Sequence, residues 1–191
     1  MAKITILNIC LLVLYVNAYA GSKNEYLQTT VDTSLTGSSA TLTKVRQSGI
    51  VTGNTRPSEL IRFSQTLKGI AYKYGSADPK KGFDCSGFIT YVFNHFKIDV
   101  PRTSAGFTDQ GREVPLSAVR PGDLILFTGT DSKIRKVGHM GIITQSGEQI
   151  VFIHSTSGKA YGVTETTLNT YYMGRFVKVI RVFNSLDQEG K

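Results

Sequence analysis

A cysteine at the start of an apolar helical pattern is the strongest candidate for chemistry in this sequence. Cys85 lies in the stretch Gly82–Phe88, and the apolar side chains that follow recur three and four residues apart, which predicts a helix to about Phe96. Free amide groups and the positive end of the helix dipole favour an anion at a helix N-terminus. We therefore expect the pKa of this thiol to fall, which would supply a nucleophilic thiolate. A buried structural cysteine is the alternative interpretation.

Two of the three histidines lie at the ends of predicted strands. His139 opens one apolar, β-branched run and His154 closes the next. In an antiparallel pair, the start of one strand neighbours the end of the following strand, so His154 can reach the distal ring nitrogen of His139 and fix its tautomer. With Cys85 they would supply a nucleophile, a base and an orienting group. The alternative is that each histidine only satisfies a local hydrogen bond.

The third histidine and a metal site are weaker candidates. His95 lies about 15 Å along the same helix from Cys85 at the α-helical rise, which excludes it as the base. A zinc site built from Cys85, Asp84, His139 and His154 lacks the closely spaced ligand pairs that are typical of such sites. We expect no metal and no cofactor.

Helical and strand patterns divide the chain into two halves. A helix is predicted over Ser58–Tyr74, with Ser58 as N-cap and Gly75 as its stop, and a short polar helix over Thr103–Gly111. The apolar, β-branched runs that predict strands are Asp123–Phe127, Met140–Thr144, Ile150–His154 and Phe176–Phe183. The prediction is an α+β fold with the N-terminal helices on one side of a central antiparallel sheet.

The N-terminal residues are typical of a secretory signal. Lys3 precedes an apolar run, and the small-residue zone Ala18–Ala20 predicts cleavage after residue 20. Cys10 would leave with the signal; a lipidated Cys10 is the alternative. Residues 21–56 are predicted to form a flexible polar tail, 57–185 the catalytic domain and 186–191 a polar C-terminal tail. The expected location is the periplasm, the cell envelope or the extracellular space, without stable membrane insertion.

Composition limits the partners. The formal net charge of +8 is spread along the chain without a basic block, which argues against a nucleic-acid partner. A solvated basic surface is the first interpretation of this charge, and a polyanionic envelope polymer or a lipid surface as neighbour is the alternative. After signal removal one cysteine remains, so no internal disulfide can form. An unpaired thiol in an exported protein favours a reactive role for Cys85.

An ordered set of motifs resembles the NlpC/P60 family of papain-like cysteine peptidases, which act on bacterial cell-wall peptides. The matching segments are Tyr72–Gly75, Phe83–Phe88, Val100–Ser104, Arg120–Phe127, Gly138–Ile142 and His154–Ser155. The chain departs from the family pattern at Ser76, where a second glycine is frequent, and at Phe107, where glutamine is frequent. These departures leave the chemistry intact but blur the substrate preference.

The resemblance implies roles for individual residues. Cys85 would be the nucleophile, His139 the general base and acid, and His154 the polar residue that holds the imidazole. Tyr72 resembles the family tyrosine that lines the oxyanion region. Asp84 and Ser86 are interpreted mainly as residues that shape the start of the helix, with a share in substrate or oxyanion binding as the second interpretation.

The activity implied by the resemblance is that of a secreted cysteine hydrolase that cleaves peptidoglycan stem peptides. The expected bond joins D-glutamate to the diamino acid, as in a D-γ-glutamyl–diamino-acid endopeptidase. An N-acetylmuramoyl-L-alanine amidase or an acyltransferase would use the same residues. A non-catalytic wall-associated module is the alternative from another class.

The signal pattern leads to a prediction about the exported protein. Cleavage after Ala20 should give a mature chain that begins at Gly21, because the small residues at positions 18 and 20 fit the signal-peptidase site. Mass spectrometry of the protein recovered from the expressing cell's envelope or medium measures this N-terminus. A chain that still begins at Met1, or that carries a lipid on Cys10, would contradict the prediction.

Overall fold

The computed structural model describes residues 49–131 and 133–187. The predicted signal segment, Cys10, most of the predicted polar tail and residues 188–191 lie outside this described part.

Three helices and eight strands make up the described chain. The helices are α1 (Pro57–Gln65), α2 (Cys85–His95) and α3 (Thr170–Arg175). The strands are β1 (Ala77–Asp78), β2 (Gly82–Phe83), β3 (Arg112–Val114), β4 (Leu124–Thr128), β5 (Val137–Gln145), β6 (Val151–Thr156), β7 (Gly162–Thr167) and β8 (Phe176–Arg181). Short 3₁₀ segments cover Ser104–Phe107, Leu116–Ala118 and Asn184–Asp187. Over residues 49–131 and 133–187, every helix is too short or too polar to cross a membrane.

Six of the strands form one antiparallel sheet, which confirms the predicted α+β class. The strand order is β3-β8-β4-β5-β6-β7. The strands β4, β5 and β6 follow one another in sequence and in space, so their ends meet at the edges where the two candidate histidines lie. Strands β1 and β2 form a separate two-stranded hairpin immediately before α2.

Both faces of the sheet are covered by apolar packing. On one face, Phe88 and Phe93 of α2 pack in a cluster with Met140 and Ile153. On the other face, Tyr172 of α3 packs in a second cluster, with the buried sheet residues Ile125, Phe127, Ile143 and Phe152. The second face is covered by α3, a helix that was not predicted from the sequence. Cover is needed there because all five residues of β4 are buried and both of its faces must be packed.

The first helix is shorter than predicted. It ends at Gln65 rather than Tyr74, and its N-cap is Arg56 rather than Ser58. The chain turns at Gly69, whose φ of 86° is in the left-handed region that favours glycine. The amides of Gly69 and Tyr72 then donate to the carbonyl oxygens of Val163 and Tyr161. These bonds to a distant segment replace the helical bonds that a helix continuing to Tyr74 would form.

Other predicted bounds differ in smaller ways. The four strands that the apolar runs predict are present, and none of their ends is shifted by more than three residues. The predicted helix over Thr103–Gly111 is the single 3₁₀ segment Ser104–Phe107. Strands β3 and β7 were not predicted. Both are edge strands of the sheet. The β7 sequence Gly162–Thr167 is mostly polar, so it lacks the apolar alternation by which strands are recognised.

The compact domain extends beyond the predicted limits of 57 and 185. Ile50 packs against the core and its amide donates to the carbonyl oxygen of Gln110. Leu186 is buried, and Asp187 forms an ion pair with Arg181. Residues 49–56, assigned to the polar tail from the sequence, therefore contact the domain.

The start of α2 is fixed by a close approach of two backbone segments. A Cβ atom added to Gly87 would lie 2.1 Å from the carbonyl oxygen of Ser76, a distance that side chains do not reach. The same Ser76 carbonyl accepts the amide of Asp84. The loop before β1 is thereby held directly against the first turn of α2.

This close approach predicts the effect of a single methyl group. Gly87→Ala should lower the free energy of unfolding by about 3 kcal/mol, because the backbone must shift to make room. Gly174→Ala in α3 is the matched control, since no atom lies within 4 Å of its added Cβ. Urea unfolding followed by circular dichroism measures both variants. Equal stability of the two would show that the first turn of α2 adapts freely.

Candidate active site

A cleft of about 1220 Å³ opens at the N-terminal end of α2. Cys85, Gly138 and His139 line it together. Other lining side chains are Tyr72, Lys159, Thr166, Tyr171, Tyr172 and Arg175. The predicted nucleophile and the predicted base thus share one concave surface.

The buried carboxylate of Asp84 positions Cys85. Asp84 is the N-cap of α2, and its Oδ1 accepts the amide of Gly87 at 2.6 Å. Arg102 binds both carboxylate oxygens, at 3.0 and 2.8 Å, and donates to Ser86 Oγ at 3.1 Å. With the third amide of the helix capped, the amides of Cys85 and Ser86 have no intrahelical partner. They lie close enough to the Cys85 sulfur to lower its pKa.

The thiol has two hydrogen-bond partners. Cys85 Sγ lies 3.3 Å from Ser104 Oγ and 3.8 Å from the carbonyl oxygen of Gly138. Burial is the largest influence on its pKa and raises it, whereas the bond with Ser104 and the amides of Ser86 and Cys85 lower it less. The expectation of a lowered thiol pKa is therefore wrong, because removal from water outweighs the helix N-terminus.

The two strand histidines are joined by a hydrogen bond. His139 Nε2 lies 2.8 Å from His154 Nδ1. Gly141 makes this contact possible, since a Cβ there would lie 2.8 Å from the carbonyl oxygen of Ile153 and 3.3 Å from the Cβ of His154. Because residue 141 is glycine, β6 can lie close enough to β5 for the His154 ring to reach the His139 ring.

Both imidazoles are neutral at neutral pH. Burial, followed by the neighbouring His154 and Arg175, lowers the pKa of His139 well below its usual value. Burial and Arg175 lower the pKa of His154 to about 3. Each ring therefore carries one hydrogen, and a hydrogen bond between the rings makes one a donor and the other an acceptor.

The sulfur and the His139 ring are neighbours without a direct bond. No hydrogen bond joins Cys85 to His139 within residues 49–131 and 133–187, but the carbonyl that contacts the sulfur belongs to Gly138, the residue immediately before the histidine. Catalytic hydrogen bonds are often long before substrate binds. The resting site therefore holds a protonated thiol beside a neutral imidazole.

The other predicted site residues separate into two groups. Tyr72 lines the cleft, and burial, then the nearby Cys85, raises the pKa of its phenol, so it stays a hydrogen-bond donor. Asp84 and Ser86 are buried and bind Arg102 instead of facing the cleft. Their placement supports the helix-start interpretation over substrate binding. His95 stacks on Phe63, with ring centroids 3.7 Å apart, at the far end of α2.

Three residues near the site were not assigned roles from the sequence. Ser104 contacts the sulfur of Cys85. Its position at the end of the family motif Val100–Ser104 was the one feature of the sequence that could have indicated a role at the site. Thr166 contacts His154 Nε2 at 2.9 Å from the unpredicted strand β7. Arg175 donates to the carbonyl oxygens of Thr128 and Gly129 near the histidine pair, and no sequence pattern distinguished it. Within the described ranges, no group of three or more His, Cys, Asp or Glu side chains is arranged to bind a metal.

The fold and the site together define a class. Papain-like cysteine peptidases have a cysteine at the N-terminus of a helix that packs against an antiparallel sheet, and a histidine at the start of a sheet strand. The described chain has this arrangement. The NlpC/P60 family model matches residues 69–182, and the chain belongs to this family.

Individual relatives agree with this membership. The chain is 29% identical to the γ-DL-glutamyl hydrolase of Bacillus subtilis, over 70% of this chain and 32% of that protein. It is 32% identical to the murein DD-endopeptidase MepS/murein LD-carboxypeptidase of Escherichia coli, over 61% of this chain and 58% of that protein. The crystal structure of an NlpC/P60 family protein from Bacillus cereus superposes with a TM-score of 0.60 at 28% identity, covering 71% of this chain and 42% of that one. The chain thus spans about a third of the length of the first curated relative and less than three fifths of the second.

The contact between Ser104 and the sulfur predicts a shift in thiol reactivity. Ser104→Ala should raise the pKa of Cys85, because it removes a hydrogen bond that stabilises the thiolate. Alkylation by iodoacetamide at neutral pH should slow, and its dependence on pH should move to higher values. Thr108→Ala is the control, since that hydroxyl donates to the Ala105 carbonyl oxygen. An unchanged profile for Ser104→Ala would show that the serine does not stabilise the thiolate.

Proposed function

We propose that this chain is an exported cysteine hydrolase that cleaves amide bonds in peptidoglycan stem peptides through Cys85, His139 and His154. The observation that carries the proposal is the shared cleft: the thiol and the His139 imidazole line it together, and His154 binds the distal nitrogen of His139 at 2.8 Å. The predicted signal segment at residues 1–20 supports export to the envelope or beyond.

The proposed bond joins D-glutamate to the diamino acid of the stem peptide. The name of the B. subtilis relative, a γ-DL-glutamyl hydrolase, supports an amide on a γ-glutamyl group. The name of the E. coli relative, a murein DD-endopeptidase and LD-carboxypeptidase, favours other bonds of the same polymer and supplies the second candidate. Both candidates use the same nucleophile and differ only in how the peptide is placed across it.

The neutral resting state sets the order of proton transfers. The thiol gives its proton to His139 as the sulfur attacks the carbonyl carbon, since no thiolate is stored beforehand. The only ring nitrogen of His139 not bonded to His154 is Nδ1, so Nδ1 is the base. The imidazolium then donates this proton to the leaving amine, and water hydrolyses the thioester in the second half of the reaction.

The oxyanion of the tetrahedral intermediate has donors ready. The amides of Cys85 and Ser86 have no intrahelical partner at the start of α2, because Asp84 caps Gly87 instead. The Tyr72 hydroxyl lines the same cleft and stays protonated, which makes it the side-chain donor. These groups stabilise negative charge only as it develops on the substrate.

The charge of the cleft suits a carboxylate-rich peptide. Lys159 and Arg175 are among its lining residues, whereas none of the described lining residues is Asp or Glu. A stem peptide carries free carboxylates on D-glutamate and often on the diamino acid. Attraction to the two cations, together with the net charge of +8, favours binding of this anionic substrate.

The test is digestion of purified peptidoglycan and of a soluble stem peptide, with the new ends identified by mass spectrometry. New D-glutamate carboxyl ends and free diamino-acid amines are expected if the proposed bond is cut. Ends at the cross-link would favour the DD-endopeptidase activity, and free muramic acid lactyl ends an amidase. Fragments identical to those of an untreated sample would refute the hydrolase and leave a wall-associated module.

Variants at the cysteine and the histidines test the assignment within the same assay. Cys85→Ala and His139→Ala should each abolish turnover, whereas His95→Ala should leave turnover intact because its ring stacks on Phe63 away from the cleft. Full activity of Cys85→Ala would contradict the thiol mechanism. Loss of turnover in a folded His95→Ala protein would contradict the choice of base.

A further inference from the structure

The hydrogen-bonded series at the active site continues beyond the histidine pair. His139 Nε2 lies 2.8 Å from His154 Nδ1, and His154 Nε2 lies 2.9 Å from Thr166 Oγ1. Thr166 is opposite Phe152 in the pairing of β7 with β6, and therefore shares a sheet face with His154 two residues on. Three side chains on three adjacent strands thus form one continuous series.

Counting protons leaves two directions for this series. Each neutral imidazole has one N–H. If Thr166 accepts from His154 Nε2–H, then His154 Nδ1 accepts from His139 Nε2–H, and Nδ1 of His139 is unprotonated. If Thr166 donates instead, His154 Nε2 is the acceptor and His154 carries its hydrogen on Nδ1. This Nδ1–H then donates to His139 Nε2. Nδ1 of His139 is then protonated and cannot take a proton from the thiol.

We propose that Thr166 is a positioning residue that sets the tautomer of the catalytic base: its hydroxyl oxygen accepts the hydrogen of His154 Nε2, which leaves Nδ1 of His139 free to accept the thiol proton. The inference rests on the proposed function for the role of His139 as base. It makes Thr166 the third member of the series, on a strand with no site residue predicted from the sequence.

The surroundings of Thr166 favour the accepting direction. Thr166 lines the cleft, so its own hydroxyl hydrogen can point towards water in the cleft while the oxygen accepts from the ring. Tyr172 packs edge-on against His154, with ring centroids 5.5 Å apart at 88°, and holds the plane of this ring. Arg175 is the charged group whose field acts on both rings, and it opposes protonation of either one.

The direct test is nitrogen NMR of the histidine side chains in the isotope-labelled full chain. In the wild-type protein, His139 should show an unprotonated Nδ1 and a protonated Nε2. Thr166→Val keeps the shape of the side chain but removes the hydroxyl, and should give a mixture of both tautomers at His139 and His154. Thr166→Ser should restore the wild-type pattern. Thr166→Ala supplies a second hydroxyl-free variant in case the valine protein does not fold.

Thr164 is a matched control, because it lies on the same strand as Thr166 and directly opposite His154. Thr164 pairs with His154 across the sheet, but its hydroxyl donates to the Glu165 carbonyl oxygen and not to the ring. Thr164→Val should therefore leave the tautomers of both histidines unchanged. A tautomer change of equal size in Thr164→Val would mean that loss of any threonine hydroxyl from β7 disturbs the two histidines. This result would overturn the specific role of Thr166.

Kinetics on the soluble stem peptide give the second measure. Thr166→Val should lower kcat about tenfold with KM unchanged, as expected for loss of an orienting partner, and Thr166→Ser should recover most of the rate. A wild-type His139 protonated on Nδ1, or tautomers unaffected by both hydroxyl-free variants, would overturn the proposal. The NMR measurement needs no substrate: a chain that shows the tautomer response but cuts no peptidoglycan refutes the proposed function and supports the role of Thr166.

Discussion

The Asp84 carboxylate is the contact on which the position of Cys85, the proposed nucleophile, depends. It caps the third amide of α2, binds both arms of the Arg102 guanidinium, and lies where the loop around Ser76 presses against Gly87. A capping side chain contributes about 1 kcal/mol to the stability of a helix. Here the cap also determines which backbone amides stay without an intrahelical partner. It leaves the first two amides of the helix unpaired beside the sulfur of Cys85.

The sheet supplies the second half of the site through close strand contact. Gly141 allows β6 to lie against β5, so that the His139–His154 bond forms between buried rings rather than in solvent. Packing on both sheet faces holds these strands, with α2 on one side and Tyr172 of α3 on the other. The rings are consequently oriented by a rigid scaffold before any substrate arrives.

Sequence patterns predicted the elements whose stabilising contacts are local or periodic, and missed those set by distant partners. The helix at Cys85 and the four apolar strands follow from spacing. The early end of α1 depends on the amides of Gly69 and Tyr72, which bond to Val163 and Tyr161 in a distant part of the chain. The hydroxyls of Ser104 and Thr166 carry no periodic signal. The pKa of Cys85 was misjudged because burial, which a sequence does not display, outweighs the helix terminus.

The protonated thiol also bears on how long such an enzyme would survive outside the cell. Peroxides and disulfides react with thiolates, so susceptibility to oxidation follows thiolate content and exposure. A Cys85 sulfur kept as a thiol and bonded to Ser104 presents little thiolate to such oxidants between turnovers. If the chain is exported as proposed, activation of Cys85 during attack, rather than in advance, would protect the thiol from oxidants between turnovers.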